Sequence, residues 1–195
     1  GHFVRSFPEI LATMIMSADN VVARTEYAKT LFSEMGYGQL RAVHSELFDR
    51  FFIELSAKLG DSERLSPAGV AALPLLPETV ALVEGEKALY SGNSARAAGA
   101  QLALEWQAYT MLRQLYDGAC NYRDLWSDAD EFHSACEYFY AHIGAAEKEH
   151  KLESLNGAVE LDVDPAAREQ IVLGFGEHLA LFDRFWTAIA AAFGR

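Results

Sequence analysis

Cysteine is scarce in this 195-residue sequence: Cys120 and Cys136 are the only two, and they form neither a CxxC pair nor a framework of bridges. That usage fits a reducing compartment and excludes a disulfide scaffold. No run of eighteen apolar residues occurs, so no membrane-spanning helix is expected. No charged segment leads into an apolar stretch at the start of the sequence, and a cytoplasmic location is therefore the expectation. Basic residues are few, 16 Lys and Arg against 28 Asp and Glu, for a formal net charge of −12 with no basic cluster. Nucleic acid and anionic membrane surfaces would be repelled by such a chain. Alternating strand patterns, internal repeats, low-complexity tracts and nucleotide or flavin motifs are also missing.

What remains is helical period, supported by a 51% hydrophobic content that suffices for one domain spanning residues 1–195. Pro8 is read as opening a first helix that runs to about Met35 and stops at the "GYG" of residues 36–38. A second helix is expected from about Leu40 to Leu59. A Pro-rich loop with short helical turns follows, then helices near Glu78 to Tyr90, Ala95 to Tyr116, Asp128 to Leu155 and Pro165 to Phe193. Ser94 is the expected cap of the fourth of these. The fold expected from this pattern is all-α, a bundle of six to seven helices.

Several polar residues stand where the helical stripes are apolar. Neighbours three, four and seven positions apart share a helix face, which sets His44 among Leu40, Leu47, Phe48 and Phe51. The same spacing sets Glu105 among Leu102, Ala108 and Leu112, and His142 among Ala135, Tyr138 and Phe139. Glu34 falls in a last helical turn, where the macrodipole disfavours negative charge. A single inward histidine is more often a hydrogen-bonded core residue than a ligand, and a single inward glutamate can pair with an arginine. Carboxylates and imidazoles turned inward from separate helices are, together, the way helical bundles build two-metal sites.

Three segments carry a resemblance. "SEMGYGQLRAVHSELF" resembles the part of the haem-oxygenase-like di-iron oxidases, relatives of TenA thiaminases and pyrroloquinoline-quinone synthase, in which a Glu before a G-x-G turn precedes a His by ten residues. "ALEWQAYTML" is similar to the helix that supplies the family's bridging Glu, and "EYFYAHIGAAEKEH" resembles its Y-F-x-x-H-x-x-x-D-x-x-H helix. The resemblance spans about Leu31 to Leu155. It implies a haem-oxygenase-like bundle and a ligand set of Glu34, His44, Glu105, His142, Glu147 and His150. Two irons per chain, cycling between Fe(II) and Fe(III), and dioxygen as co-substrate are implied with it. Three carboxylates and three neutral imidazoles would set −3 against the +4 of two Fe(II).

The third segment departs from the family spacing. The positions four and seven after His142 hold Ala146 and Glu149, while the acid and the histidine stand one residue later at Glu147 and His150. On a regular helix of about 100° per residue, Glu147 lies about 140° away from His142. A π-bulge near Gly144 would bring Glu147 and His150 onto the His142 face. A regular helix would present Glu149 and leave a defective second metal position. His178 is read as a core histidine or one backing the site, His133 as partly exposed, and Lys148 and Lys151 as solvated.

The resemblance further implies an oxygenase of specialised metabolism acting on a small molecule, an amino acid or amino-acid-like substrate, by C–C cleavage or N-oxygenation. Electrons would come from a separate reductase or from the substrate. Oxidative decarboxylation of a fatty acid, a metal-free TenA-like hydrolase and a catalytically silent helical interaction protein are the alternatives. The Pro-rich segment Leu65 to Thr79 and the first helix are candidates for the pocket rim, Arg41 and Lys87 for pairing with a substrate carboxylate, and a homodimer for the assembly.

Overall fold

The computed structural model describes residues 1–63 and 66–194, with the side chains of Pro67, Ala145, Ala146 and Glu147 outside the description. Among the described residues the chain is all-helical, without strands. The helices are α1 (His2–Ser17), α2 (Val21–Glu34), α3 (His44–Lys58), α4 (Pro67–Ala71) and α5 (Pro77–Ser91), followed by α6 (Ser94–Cys120), α7 (Ala129–Ala135), α8 (Glu137–Ile143), α9 (Ala145–Leu161) and α10 (Pro165–Ala192). Short 3-10 turns occupy Gly36–Gly38, Leu40–Ala42 and Arg123–Leu125.

The all-α expectation holds, and the count of six to seven helices does not, because two stretches that look continuous in sequence are interrupted. The first breaks at Ala18, whose backbone is extended, and restarts where the Asn20 side chain accepts hydrogen bonds from the backbone N–H groups of Val22 and Ala23. Pro8 lies inside α1, which already begins at His2, instead of opening it. The stretch expected as one helix from Asp128 to Leu155 is three, α7, α8 and α9, divided at Cys136 and Gly144. Helical period survives a break of a few residues, so apolar spacing alone does not reveal it. His44 is the first residue of α3, and Leu40, expected on its stripe, is 78% exposed in a 3-10 turn. Asn93, one residue before the expected Ser94, caps α6 by accepting from the Arg96 N–H.

Two apolar clusters form. One gathers Ile10, Leu11, Met14, Tyr27, Leu82 and Phe182 with the first half of α6 and the C-terminal half of α9. The other gathers Leu47, Phe51, Trp126, Phe132, Tyr138 and Phe139 against the second half of α6. The 27-residue α6 thus runs through both. Its N-terminal half buries Ala97, Ala98, Ala100 and Ala103, and this strip of small side chains lets α10 approach closely. Contact is backbone to backbone: a Cβ on Gly99 would collide with the Ile171 carbonyl, and one on Gly174 with the Arg96 carbonyl. Gly174→Ala must therefore push the two helices apart, at about 1–3 kcal/mol for overpacking. A melting temperature lower by roughly 5 °C, with helicity retained by circular dichroism, is the expected outcome.

Candidate metal centre

Glu34 ends α2 and His44 begins α3, and the nine residues between them fold the chain back on itself. Gly36, Tyr37 and Gly38 all have left-handed backbones, with φ of 64°, 54° and 79°. Gly36 is restricted twice over, since a Cβ there would also run into the Ala42 and Val43 backbone. Tyr37 is not a glycine and is held by its side chain, which accepts a 3.1 Å hydrogen bond from the Ser33 hydroxyl and stacks edge-on against Phe32. The result is a 2.9 Å approach of His44 Nδ1 to Glu34 Oε1, with both side chains buried. That approach lacks hydrogen-bond alignment and leaves His44 Nδ1 without a bonding partner. The two groups converge on shared space more than on each other.

His142 enters the same space from α8. Its Nδ1 donates to the Tyr138 carbonyl at 2.7 Å, and since a carbonyl only accepts, the neutral ring carries its lone pair on Nε2. That Nε2 lies 3.8 Å from Glu34 Oε1, and the His44 and His142 rings meet edge-on with centroids 4.3 Å apart. Glu34, His44 and His142 offer ligand atoms within 4.8 Å of one another. The helix then stops. Gly144, at φ −90° and ψ −150°, closes α8 through its N–H to the Tyr140 carbonyl, and α9 starts at Ala145. The widened turn expected near Gly144 is therefore a full break instead of a π-bulge. Two separate helices meet there, and the break lets His142 and His150 both turn inward although eight residues of regular helix would set them about 80° apart.

His150 is 3% exposed, its Nδ1 is 3.8 Å from Glu105 Oε2, and its Nε2 has no hydrogen-bond partner. Glu105, also 3% exposed, accepts a 2.6 Å hydrogen bond on Oε1 from the Gln101 amide. Burial lowers the His150 pKa to about 4, the Glu34 charge opposes that shift, and His142 and His44 add to it. The ring is neutral at pH 7, the form that binds metal. Burial would raise the Glu34 carboxyl, but the close approach of the His142 and His44 rings outweighs it and holds the group ionised, well below the usual carboxylate range.

The ionised Glu34, the neutral His150 and two orphaned ring nitrogens, His44 Nδ1 and His150 Nε2, belong to a carboxylate and imidazole donor set suited to iron or manganese. The structure brings Glu34, His44 and His142 into one cluster and places Glu105 and His150 together, and Glu34, Glu105, His142 and His150 line a single cavity. The side chain of Glu147 lies outside the described residues. Glu149 is exposed, as is His133, which stacks on Tyr140. Arg41 is exposed and Lys87 pairs with Glu84, and neither lines the cavity. Phe3, Val4 and Phe7 of α1 do line it, whereas no described residue of 66–79 does, Leu65 lying outside the description.

Sequence reasoning missed Gln101 and Tyr90, which stand behind Glu105, and Glu86, which lies 2.9 Å from His178 with both side chains fully buried. Gln101 was findable, one helical turn before Glu105 on the same face. Glu86 carried a signal of the same kind, an acid in the stripe of Leu82 and Tyr90.

The cavity holds about 800 Å³ and sits where the two apolar clusters meet, with walls such as Phe7 and Leu82 from one and Phe51, Leu112 and Phe139 from the other. A helical bundle with carboxylates and imidazoles of separate helices turned into one cavity is the architecture of carboxylate-rich metal proteins of redox chemistry. The chain belongs to the haem-oxygenase-like family described as iron-containing redox enzymes, whose profile matches residues 1–183, and it is an oxidoreductase of that family. No curated protein matches the chain significantly.

Two outcomes are expected of this geometry. Gly36→Ala should lower stability by at least about 1 kcal/mol and reduce metal uptake by the folded fraction, as chemical unfolding and metal analysis will show. For His150 the folded pKa is depressed, so the unfolded chain takes up a proton near pH 6.5 while the folded chain resists until about pH 4. Metal-free protein should accordingly lose about 2 kcal/mol between pH 7 and pH 5 from this group, a loss absent from His150→Gln in urea titrations at the two pH values.

Proposed function

We propose that the protein is a non-haem di-iron oxygenase that uses dioxygen to oxidise a largely apolar small molecule. The observation that carries the reading is that the buried Glu34, His142, Glu105 and His150 line one apolar cavity, with His44 clustered on Glu34 and His142 behind them. Glu34, His44 and His142 would hold one iron, and Glu105 and His150 would take part in holding the second. Glu147 is assigned to the same pair from the family resemblance alone. Two irons, when bound, supply the electrons that reduce dioxygen. The chain's own residues do the rest: the Tyr138 carbonyl keeps the His142 lone pair on Nε2, the paired imidazoles keep Glu34 ionised, and the phenylalanines around the site exclude water.

The cavity lining favours a fatty-acid-like substrate over an amino acid. No Lys or Arg is among its described lining residues, so a substrate carboxylate finds no side-chain cation there. A hydrocarbon chain gains about 0.8 kcal/mol per buried CH₂ in such surroundings, while an ammonium would be desolvated beside aromatic rings. The polar end of the substrate would then face the ligand cluster. Electrons beyond those of the substrate would come from a separate reductase.

For the metal-free hydrolase alternative Cys136 is a poor nucleophile, since burial pushes its thiol up to about 12, with Cys120 and Glu54 adding to the shift. The silent-protein alternative needs arginine partners for the inward acids, and Glu34 has two imidazoles instead.

Anaerobic loading should give about two irons per chain, and exposure to oxygen should give a transient visible absorption that His44→Ala and Glu105→Ala abolish. Oxygen consumption should rise with medium-chain fatty acids and not with free amino acids. Zero iron would remove the oxygenase reading, and the reverse substrate preference would remove the fatty-acid one.

A further inference from the structure

Behind Glu105, away from the cavity, two polar side chains are sealed in the core. Gln101 and Tyr90 are both fully buried. Gln101 lies one helical turn before Glu105 on α6, and Tyr90 reaches it from α5. The Gln101 Nε2 donates to Glu105 Oε1 at 2.6 Å, and the Tyr90 hydroxyl donates to Gln101 Oε1 at 2.8 Å. The direction of this chain is fixed by chemistry. With the amide nitrogen set on the Glu105 carboxylate, the amide oxygen is the atom left to face the phenol, and an amide oxygen only accepts. The phenol must then donate. Burial first, and then the charges of Glu86 and Glu105 and the neighbouring Tyr27, push its pKa well above the usual value and keep it protonated.

The arrangement divides the work of the Glu105 carboxylate. Oε1 is occupied by a short hydrogen bond to an uncharged donor, and Oε2 is the oxygen that stands 3.8 Å from His150 Nδ1, beyond hydrogen-bond range. Rotation of the carboxylate would break the Gln101 bond, and rotation of Gln101 would set its carbonyl against the carboxylate and strand the Tyr90 hydroxyl in the core. Each of those steps leaves a buried polar group unpaired, at about 1–3 kcal/mol.

We infer that Gln101, held by Tyr90, is a positioning residue that fixes the orientation of Glu105 as a metal ligand. The inference rests on the assignment of Glu105 to the metal centre and extends it to two residues that touch neither the cavity nor the metal. An outer hydrogen bond of this kind is typically worth 10- to 100-fold in metal affinity.

The test compares anaerobic Fe(II) dissociation constants, measured by chelator competition, with the visible ligand-field spectrum of the Co(II)-loaded protein. Wild type, Gln101→Leu, Tyr90→Phe and Gly174→Ala are each assayed as folded protein. Gln101→Leu should weaken Fe(II) binding about 10- to 100-fold and shift the Co(II) bands. Tyr90→Phe should do both in the same direction and to a smaller extent. Gly174→Ala lowers stability through the same helix without touching the chain of hydrogen bonds, and should leave affinity and spectrum as in wild type. Tight wild-type binding with an unchanged spectrum in folded Gln101→Leu would overturn this inference and leave the metal centre standing. Should Gln101→Leu not fold, the near-isosteric Tyr90→Phe decides, and an unchanged Co(II) spectrum there overturns it equally. A wild-type protein that takes up neither Fe(II) nor Co(II) would sink the metal centre and this inference together.

Discussion

An ionised carboxylate in an apolar bundle is the constraint on which the rest of this structure depends. Glu34 is 5% exposed at the C-terminal end of a helix, where both desolvation and the macrodipole work against its charge. Two imidazoles from two other helices offset that cost, and bringing them there dictates much of the surrounding geometry. The left-handed run at Gly36–Gly38 returns the chain within reach, and α8 is placed so that His142 approaches the same Glu34 oxygen with its ring edge-on to His44. A carboxylate buried with such company is weak support for stability and strong support for a site, because apolar residues of the same volume would hold the bundle together equally well.

The site and the cavity are one construction. Because α6 crosses both apolar clusters, it can carry Glu105 at their junction while its small residues pack against α10 and its larger ones, Met111 and Leu112, wall the cavity. Glu34, Glu105, His142 and His150 share that space with a lining that is mostly aromatic and aliphatic. A neutral imidazole suits this setting at His150, since burial penalises the protonated ring more than the Glu34 charge favours it.

How much of this was legible in the sequence differs from residue to residue. The helical class followed from period alone. Glu34, His44, Glu105 and His142 were each visible as a polar residue out of place, and all four are buried around the expected centre. The breaks were not legible, because an Asn20 cap or a Gly144 with extended ψ interrupts hydrogen bonding without interrupting the spacing of apolar residues. The one-residue excess between His142 and His150 did point to a distortion, but spacing cannot distinguish a widened turn from two helices meeting. Tyr90 escaped notice because a tyrosine on a helix face is unremarkable until its partner from another helix is known, whereas Gln101 stood one turn before Glu105 on the same helix.

The break at Gly144 also marks the point where the polypeptide leaves one apolar cluster for the other. Tyr138 and Phe139, before it, pack with α3 and α7, whereas Ala158 and Leu161, after it, pack with α1, α2 and the first half of α6. His142 and His150 therefore lie on helices that pack into different cores and meet at Gly144. A metal held by ligands from both helices would act as a staple across that joint, closing loops in the unfolded chain much as a disulfide does. The two cores would then melt as one unit with metal and be free to melt in sequence without it.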